Sequence, residues 1–363
     1  VKYLDEFRDP DLARRLAEQL RAARVGPARL MEVCGTHTMA IARFGLRSAL
    51  PDGVRLVSGP GCPVCVTSQG EIDRFLELGR RPEVILATFG DMLRVPGRGS
   101  SLEKERARGA EVRVLYSPLD AVRLAAANPQ RKVVFFGVGF ETTAPGVALA
   151  VKEARAQGRR NFFLLCAHKL IPPALRALSG DKLRVGGFLC PGHVSTIIGS
   201  QAYDFLAIEH SIACVIAGFE PLDVLQALVM LLGQLERGEA RVEVQYRRAV
   251  SSRGNTKAQA LLAEVFEVSD APWRGLGLIP ASGLSLRGPY ADFDAARHFD
   301  LSLEDAPEPP GCQCGRVLRG ALEPEECGLF GRDCTPEHPV GPCMVSSEGA
   351  CAASYKYPEA ERG

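Results

Sequence analysis

Eight short runs of nearly unbroken apolar residues set the strongest limit on how this chain folds. Four come early: RLMEVCG, VRLVSG, EVILATFG and EVRVLY. Four more follow: KVVFFGVGFE, NFFLLCAH, VGGFLCPG and ACVIAGFE. Most lead into stretches with apolar residues at helical spacing, such as EIDRFLELG, LDAVRLAAAN, GVALAVKEA and DVLQALVMLLGQL. Strands apolar on both faces and separated by helices belong to parallel sheets covered on both sides. The pattern predicts an α/β protein with two successive units, residues 26–130 and 131–245. An amphipathic helix is expected within residues 1–25, with the C-terminal region as its candidate packing partner.

From 246 to 363 the character changes. A strand and a helix fit VEVQYRRAVSSRGNTKAQALLAEVFEV, but proline and glycine then rise through DAPEPPGCQCG and GLFGRDCTPEHPVGPC. Such a segment buries little apolar surface, so metal or disulfides must hold it together.

A net charge of +1 with 24% charged residues gives no electrostatic reason to expect nucleic acid or a membrane surface. No apolar run reaches bilayer length. The first twenty residues, VKYLDEFRDPDLARRLAEQL, lack the apolar core of a signal peptide, so the cytoplasm is the expected location. Twelve cysteines there need a reason other than a disulfide framework. Cys166, Cys190 and Cys214 sit in apolar runs and read as core residues, although Cys166 has His168 close by. His210, His298 and His338 read as surface residues.

Six cysteines crowd the tail as C-x-C-x12-C-x6-C-x8-C-x7-C. Zinc usually shows paired C-x-x-C knuckles, which are lacking here, and a reducing compartment disfavours disulfides alone. An iron–sulfur cluster on four thiolates is the favoured expectation, with zinc or redox-only thiols as the others. Four ligands leave two cysteines spare. One of Cys312 and Cys314 could ligate while the other pairs elsewhere, and spacing does not choose.

The remaining thiols stand at strand ends. Cys34 closes the first run in MEVCGTHT, with His37 just behind; Cys62 and Cys65 form the C-x-x-C of GPGCPVC after the second run. Ligands of open parallel sheets bind beyond the carboxyl ends of strands, and thiols at helix N-termini are expected to have lowered pKa. Cys34, His37, Cys62 and Cys65 are therefore expected in one crevice, as a soft-metal or redox site. A second strand-end cluster is expected in the second unit, with Glu141 in GFETTAPG and His193 in CPGHVS. GVGFET carries only part of a dinucleotide fingerprint, and no complete phosphate loop is present.

MEVCGTHT, GPGCPVC, TFGDMLRVPG, GFETTAPG, PGHVSTIIG, AGFEPLD, APWRGLG and VSSEGACAA together resemble the HypD family of hydrogenase maturation factors, in order and over nearly the whole chain. The resemblance implies two Rossmann-like domains of similar topology plus a Cys-rich domain with a [4Fe-4S] cluster. It implies a part in building the Fe(CN)2CO moiety of [NiFe] hydrogenase, in complex with the chaperone HypC, with cyanide made on HypE and the hydrogenase large subunit as indirect recipient. By motif, Cys34 would hold the iron, His37 would neighbour it, and Cys62 and Cys65 would be a redox or ligand-supporting pair. Cys312, Cys327, Cys334 and Cys351 would be cluster ligands. Cys314 and Cys343 would be a thiol/disulfide pair, as in ferredoxin–thioredoxin reductase; a relay of electrons from the cluster through them towards Cys62 and Cys65 is a further expectation. Met39 stands where some members have a second histidine, which argues against an indispensable imidazole there. From another class, a cluster-driven thiol–disulfide oxidoreductase is the alternative; it would use the C-x-x-C but not Cys34 and His37.

Overall fold

The computed structural model describes residues 5–180, 185–302 and 306–358. Its strands are β1 (Ala28–Glu32), β2 (Val54–Ser58), β3 (Val84–Thr88), β4 (Val112–Val114), β5 (Lys132–Gly139), β6 (Phe162–His168), β7 (Gly187–Pro191), β8 (Ala213–Ala217), β9 (Val242–Val244), β10 (Phe266–Trp273) and β11 (Gly277–Leu286). The eight apolar runs hold β1 to β8, as their composition predicts.

Their partners differ from expectation. One parallel sheet has the order β2-β1-β7-β8-β9 and the other β4-β3-β5-β6. The early and late sets are therefore interleaved, which corrects the division into successive units at 26–130 and 131–245. The chain lays down β1 and β2, crosses over to build the whole four-stranded sheet, and returns for β7 to β9. Strands apolar on both faces satisfy a partner on either side equally well, so local sequence does not encode which neighbour each one takes.

Alternation along each strand divides the core. In the five-stranded sheet Leu30, Leu56, Leu189 and Val215 face the helix Pro221–Glu236, while Met31, Val57, Phe188 and Cys214 face the opposite way. In the four-stranded sheet Val133, Phe135 and Leu164 face outer helices, and Val134, Phe136 and Leu165 join the same apolar cluster as Met31 and Phe188. The two sheets thus share a central core. Each buried Leu, Val or Phe there contributes roughly 1.5–3 kcal/mol.

Asp9 caps the helix Pro10–Ala22, accepting from the backbone N–H of Asp11 and Leu12. That helix packs on Pro221–Glu236 through Leu16 and Leu20, whereas the expected candidate partner is the C-terminal region. The C-terminal segment is not a detached unit either. The helix Thr256–Val265 packs on Ala144–Ala156. The antiparallel hairpin β10–β11 bridges Thr67 with Trp273 and Lys169 with Gly283. The cysteine tail lays its last helix, Ala350–Lys356, against the helix Gly35–Arg43. Among the described residues no helix is long and apolar enough to cross a membrane.

Candidate metal and thiol centre

In the five-stranded sheet the strand order reverses between β1 and β7. Cys34 follows β1 and His193 follows β7, so both stand at the switch point where open α/β sheets bind ligands. Cys34 is the N-cap residue of Gly35–Arg43. Its backbone N–H donates to Glu32 Oε2 at 3.0 Å, and Thr38 Oγ1 donates to Glu32 Oε1 at 2.6 Å. Burial holds the Glu32 carboxyl up at about 7.

The loop after β2 lies directly against this turn. Gly35 N–H donates to the Gly61 carbonyl at 2.9 Å, and a Cβ on Gly61 would stand 2.1 Å from the Cys34 nitrogen, so only glycine fits there. Cys62 follows at once, as N-cap of the single turn Pro63–Val66, and pairs with Cys65 in a disulfide whose Cα atoms are 5.2 Å apart. Cys34 keeps a free, buried thiol. The lowered pKa expected at a helix N-terminus is not found for it. Burial, reinforced by the Glu348 carboxylate, pushes the thiol up to about 12, outweighing the favourable backbone N–H groups of His37 and Thr36.

His37 shares the crevice but turns from the thiols. Its Nε2 donates to the Gly218 carbonyl at 2.9 Å, and its ring stacks on Phe219 at 4.7 Å. Phe219 also stacks on His193 at 3.9 Å. Burial lowers the His37 pKa to about 4, so the imidazole is neutral. Glu141 stands two residues beyond β5 in the other sheet, so it and His193 follow strands of different sheets rather than of one unit. Glu141 Oε1 accepts from the Ile171 N–H at 3.0 Å, its other oxygen is buried without a hydrogen bond, and burial raises its pKa to about 7.

The tail reaches this edge. Thr36 Oγ1 donates to Glu348 Oε1 at 2.6 Å, and Ser346 Oγ lies 3.3 Å from Cys62 Sγ. Three residues before Ser346, Cys343 is disulfide-bonded to Cys314, with Cα atoms 6.4 Å apart. The helices holding these two, Cys314–Leu318 and Pro342–Val345, both pack on the Cys62–Cys65 turn. Cys312, Cys327, Cys334 and Cys351 have free thiols and line one cavity, whose walls also include Val317, Leu329, Phe330, Met344, Gln313, Gly341 and the Cys314–Cys343 pair. Burial raises the Cys351 thiol pKa, and Cys334, Cys312 and Cys327 add to the rise by their proximity. No three His, Cys, Asp or Glu side chains among the described residues are arranged to hold a single metal ion.

Comparison with known proteins decides the family. A family model named HypD, described as "Hydrogenase formation hypA family", matches residues 11–358. The chain belongs to the HypD family. It is 52% identical to the hydrogenase maturation factor HypD of Azotobacter vinelandii, over 98% of this chain and 97% of that protein. It is 48% identical to the factor of the same name from Escherichia coli K12, over 99% of each, and 48% identical to that of Cupriavidus necator, over 98% and 97%.

Within this family frame the structure brings Cys34, His37, Cys62, Cys65 and His193 to one sheet edge, whereas strand-end reasoning puts only the first four in one crevice and sets His193 with Glu141 in a second cluster. It missed Glu32 beneath Cys34, Phe219 between the two histidines, and Glu348 arriving from the tail. Phe219 and Glu348 lie in AGFEPLD and VSSEGACAA, which carried the family resemblance but no placement. Cys190 and Cys214 are core residues, whereas Cys166 is half-buried, its Sγ 3.5 Å from His168 Nδ1. Of the three expected surface histidines, His298 and His338 are exposed and His210 is half-buried.

Proposed function

We propose that this chain is the scaffold on which the Fe(CN)2CO moiety of [NiFe] hydrogenase is assembled, together with a HypC-like chaperone and a HypE-like cyanide donor. The cargo iron is held by Cys34 and by a thiolate of the chaperone. Soft, strongly donating sulfur suits low-spin iron with cyanide and CO. The observation that carries this reading is the free Cys34 thiol at the switch point, with the Cys62–Cys65 loop pressed against its turn. Glu32 fixes the backbone of that turn, while the Phe219 stack fixes His37 and His193 beside it.

Cys312, Cys327, Cys334 and Cys351 would hold a [4Fe-4S] cluster. Four free thiols around one sulfur-rich, apolar cavity support this, since each iron of such a cluster takes its own thiolate and the sulfurs must range around a volume. When bound, the cluster supplies single electrons. The chain's own contribution is thiol–disulfide exchange between Cys314–Cys343 and Cys62–Cys65, which keeps the crevice reduced.

A second reading, a thiol–disulfide oxidoreductase acting on a protein disulfide, draws on the packing of the two disulfide-bearing segments against each other. Cys34 separates the two. In a host lacking its own HypD, Cys34→Ala is expected to abolish hydrogenase maturation while leaving the exchange intact. Full maturation by that variant would overturn the scaffold reading.

A further inference from the structure

The turn of the β10–β11 hairpin lies between the two disulfide-bearing segments and touches both. On one side Trp273 bridges Thr67, and the Arg274 N–H donates to the Val66 carbonyl at 2.9 Å. The Arg274 side chain, 2% exposed, extends this grip: Nε donates to the Thr67 carbonyl at 3.2 Å and Nη2 to Gln69 Oε1 at 3.3 Å. These acceptors cover the exit of the Cys62–Cys65 turn. On the other side Gly275, at φ +75°, lies against Gly315, the residue after Cys314. A Cβ on Gly275 would stand 2.1 Å from the Gly315 Cα. The Gly275 N–H also donates to Glu308 Oε1 at 2.9 Å, tying down the approach to Cys312.

We propose that Arg274 is a positioning residue: it fixes the Cys62–Cys65 turn against the Cys314 helix, so that the two pairs exchange within the molecule. This rests on the reading that they exchange at all. In the step, one thiolate of a reduced Cys314/Cys343 pair attacks a sulfur of the Cys62–Cys65 disulfide. A bond forms between the pairs and the Cys62–Cys65 bond breaks, releasing a thiolate. The second thiol of the tail pair, losing its proton, displaces the mixed disulfide. The products are a Cys314–Cys343 disulfide and a Cys62/Cys65 dithiol, with two electrons and two protons moved and no outside reductant consumed. Attack is in line with the S–S bond and falls off steeply with displacement, so a fixed guanidinium fork is worth more than its hydrogen bonds alone.

The test uses the full chain with its cluster, under anaerobic conditions. Less than one equivalent of dithiothreitol is added, samples are quenched in acid at intervals and alkylated, and the labelled cysteines are mapped by mass spectrometry. In wild type both pairs take label in a constant ratio from the first sample, because exchange outruns reduction. In Arg274→Met one pair labels first and the other lags by at least about tenfold, with cluster absorbance and melting temperature retained. Arg274→Lys, which keeps the charge but loses the fork, falls between. A wild-type time course in Arg274→Met overturns the positioning role. If that variant loses its cluster, Arg274→Lys decides, since it keeps the charge and loses the fork; a wild-type time course there overturns the proposal equally. Separate, slow labelling of the two pairs in wild type itself would sink the exchange, and not only the role of Arg274.

Discussion

Ser346 Oγ lies 3.3 Å from Cys62 Sγ, although 284 residues separate them. The contact joins the tail to the switch-point crevice at the sulfur itself. With the Thr36–Glu348 hydrogen bond, it makes the tail a wall of the site. The ends of the chain's chemistry thus meet across its whole length, and variants can separate what each part does.

The first separation concerns the six tail cysteines. Cys327→Ser is expected to lose most of the iron and acid-labile sulfide of anaerobically purified protein. Cys314→Ser should retain them, because Cys314 is already bonded to Cys343. Iron and sulfide assays check both, and equal loss in the two variants would contradict this division.

A buried carboxyl makes a pH prediction. The Glu141 pKa is raised from 4.5 to about 7, chiefly by burial. Between those values the folded state holds a proton that the unfolded state has released, so stability falls as pH rises through this window. The cost, about 3 kcal/mol, is fully present above it. Glu141→Gln removes that cost. Its stability relative to wild type should climb between pH 4.5 and 8, with Glu32 cancelling in the difference. Urea denaturation across the range checks this; parallel curves would contradict it.

Phe219 holds two imidazoles by stacking. Phe219→Leu should cost about 1–2 kcal/mol and lower maturation, whereas Phe219→Tyr should be close to wild type. A double-mutant cycle with His193→Ala should give a coupling of about 1 kcal/mol. Additive effects would show that the stack carries no energy.

Lys169 and Glu71 form an ion pair at 2.5 Å, with side chains only 1% and 9% exposed. It ties the end of β6 to the helix that follows the Cys62–Cys65 turn. Removing one partner leaves a buried charge, so Lys169→Met should cost roughly 3–5 kcal/mol. The double variant Lys169→Met, Glu71→Gln should recover much of that. Calorimetry distinguishes the two cases.

Much of this architecture is legible in the sequence, and the gaps share a cause. Strand positions are local properties: Val133, Val134, Phe135 and Phe136 can hardly be anything but a buried strand. Strand neighbours are not local, so the return of the chain to set β7 beside β1 is invisible. Once Cys34 and Cys62 are recognised as strand-end residues on neighbouring strands, their meeting follows. The direction of His37 does not, because it depends on the Gly218 carbonyl 181 residues away. The Cys34 thiol pKa departs from the helix-end expectation for the same reason: the helix end is written in the sequence, whereas burial and the nearby Glu348 carboxylate are products of the fold.

The central claim is that the cargo iron sits on Cys34. The most direct measurement is the infrared spectrum, across the cyanide and CO stretching region, of anaerobic protein co-expressed with HypC and HypE partners, for wild type and Cys34→Ala. Bands in wild type that vanish in the variant, with the tail's iron content unchanged, are the predicted result. Bands of equal strength in both, or none in either with the tail's iron intact, would contradict the account.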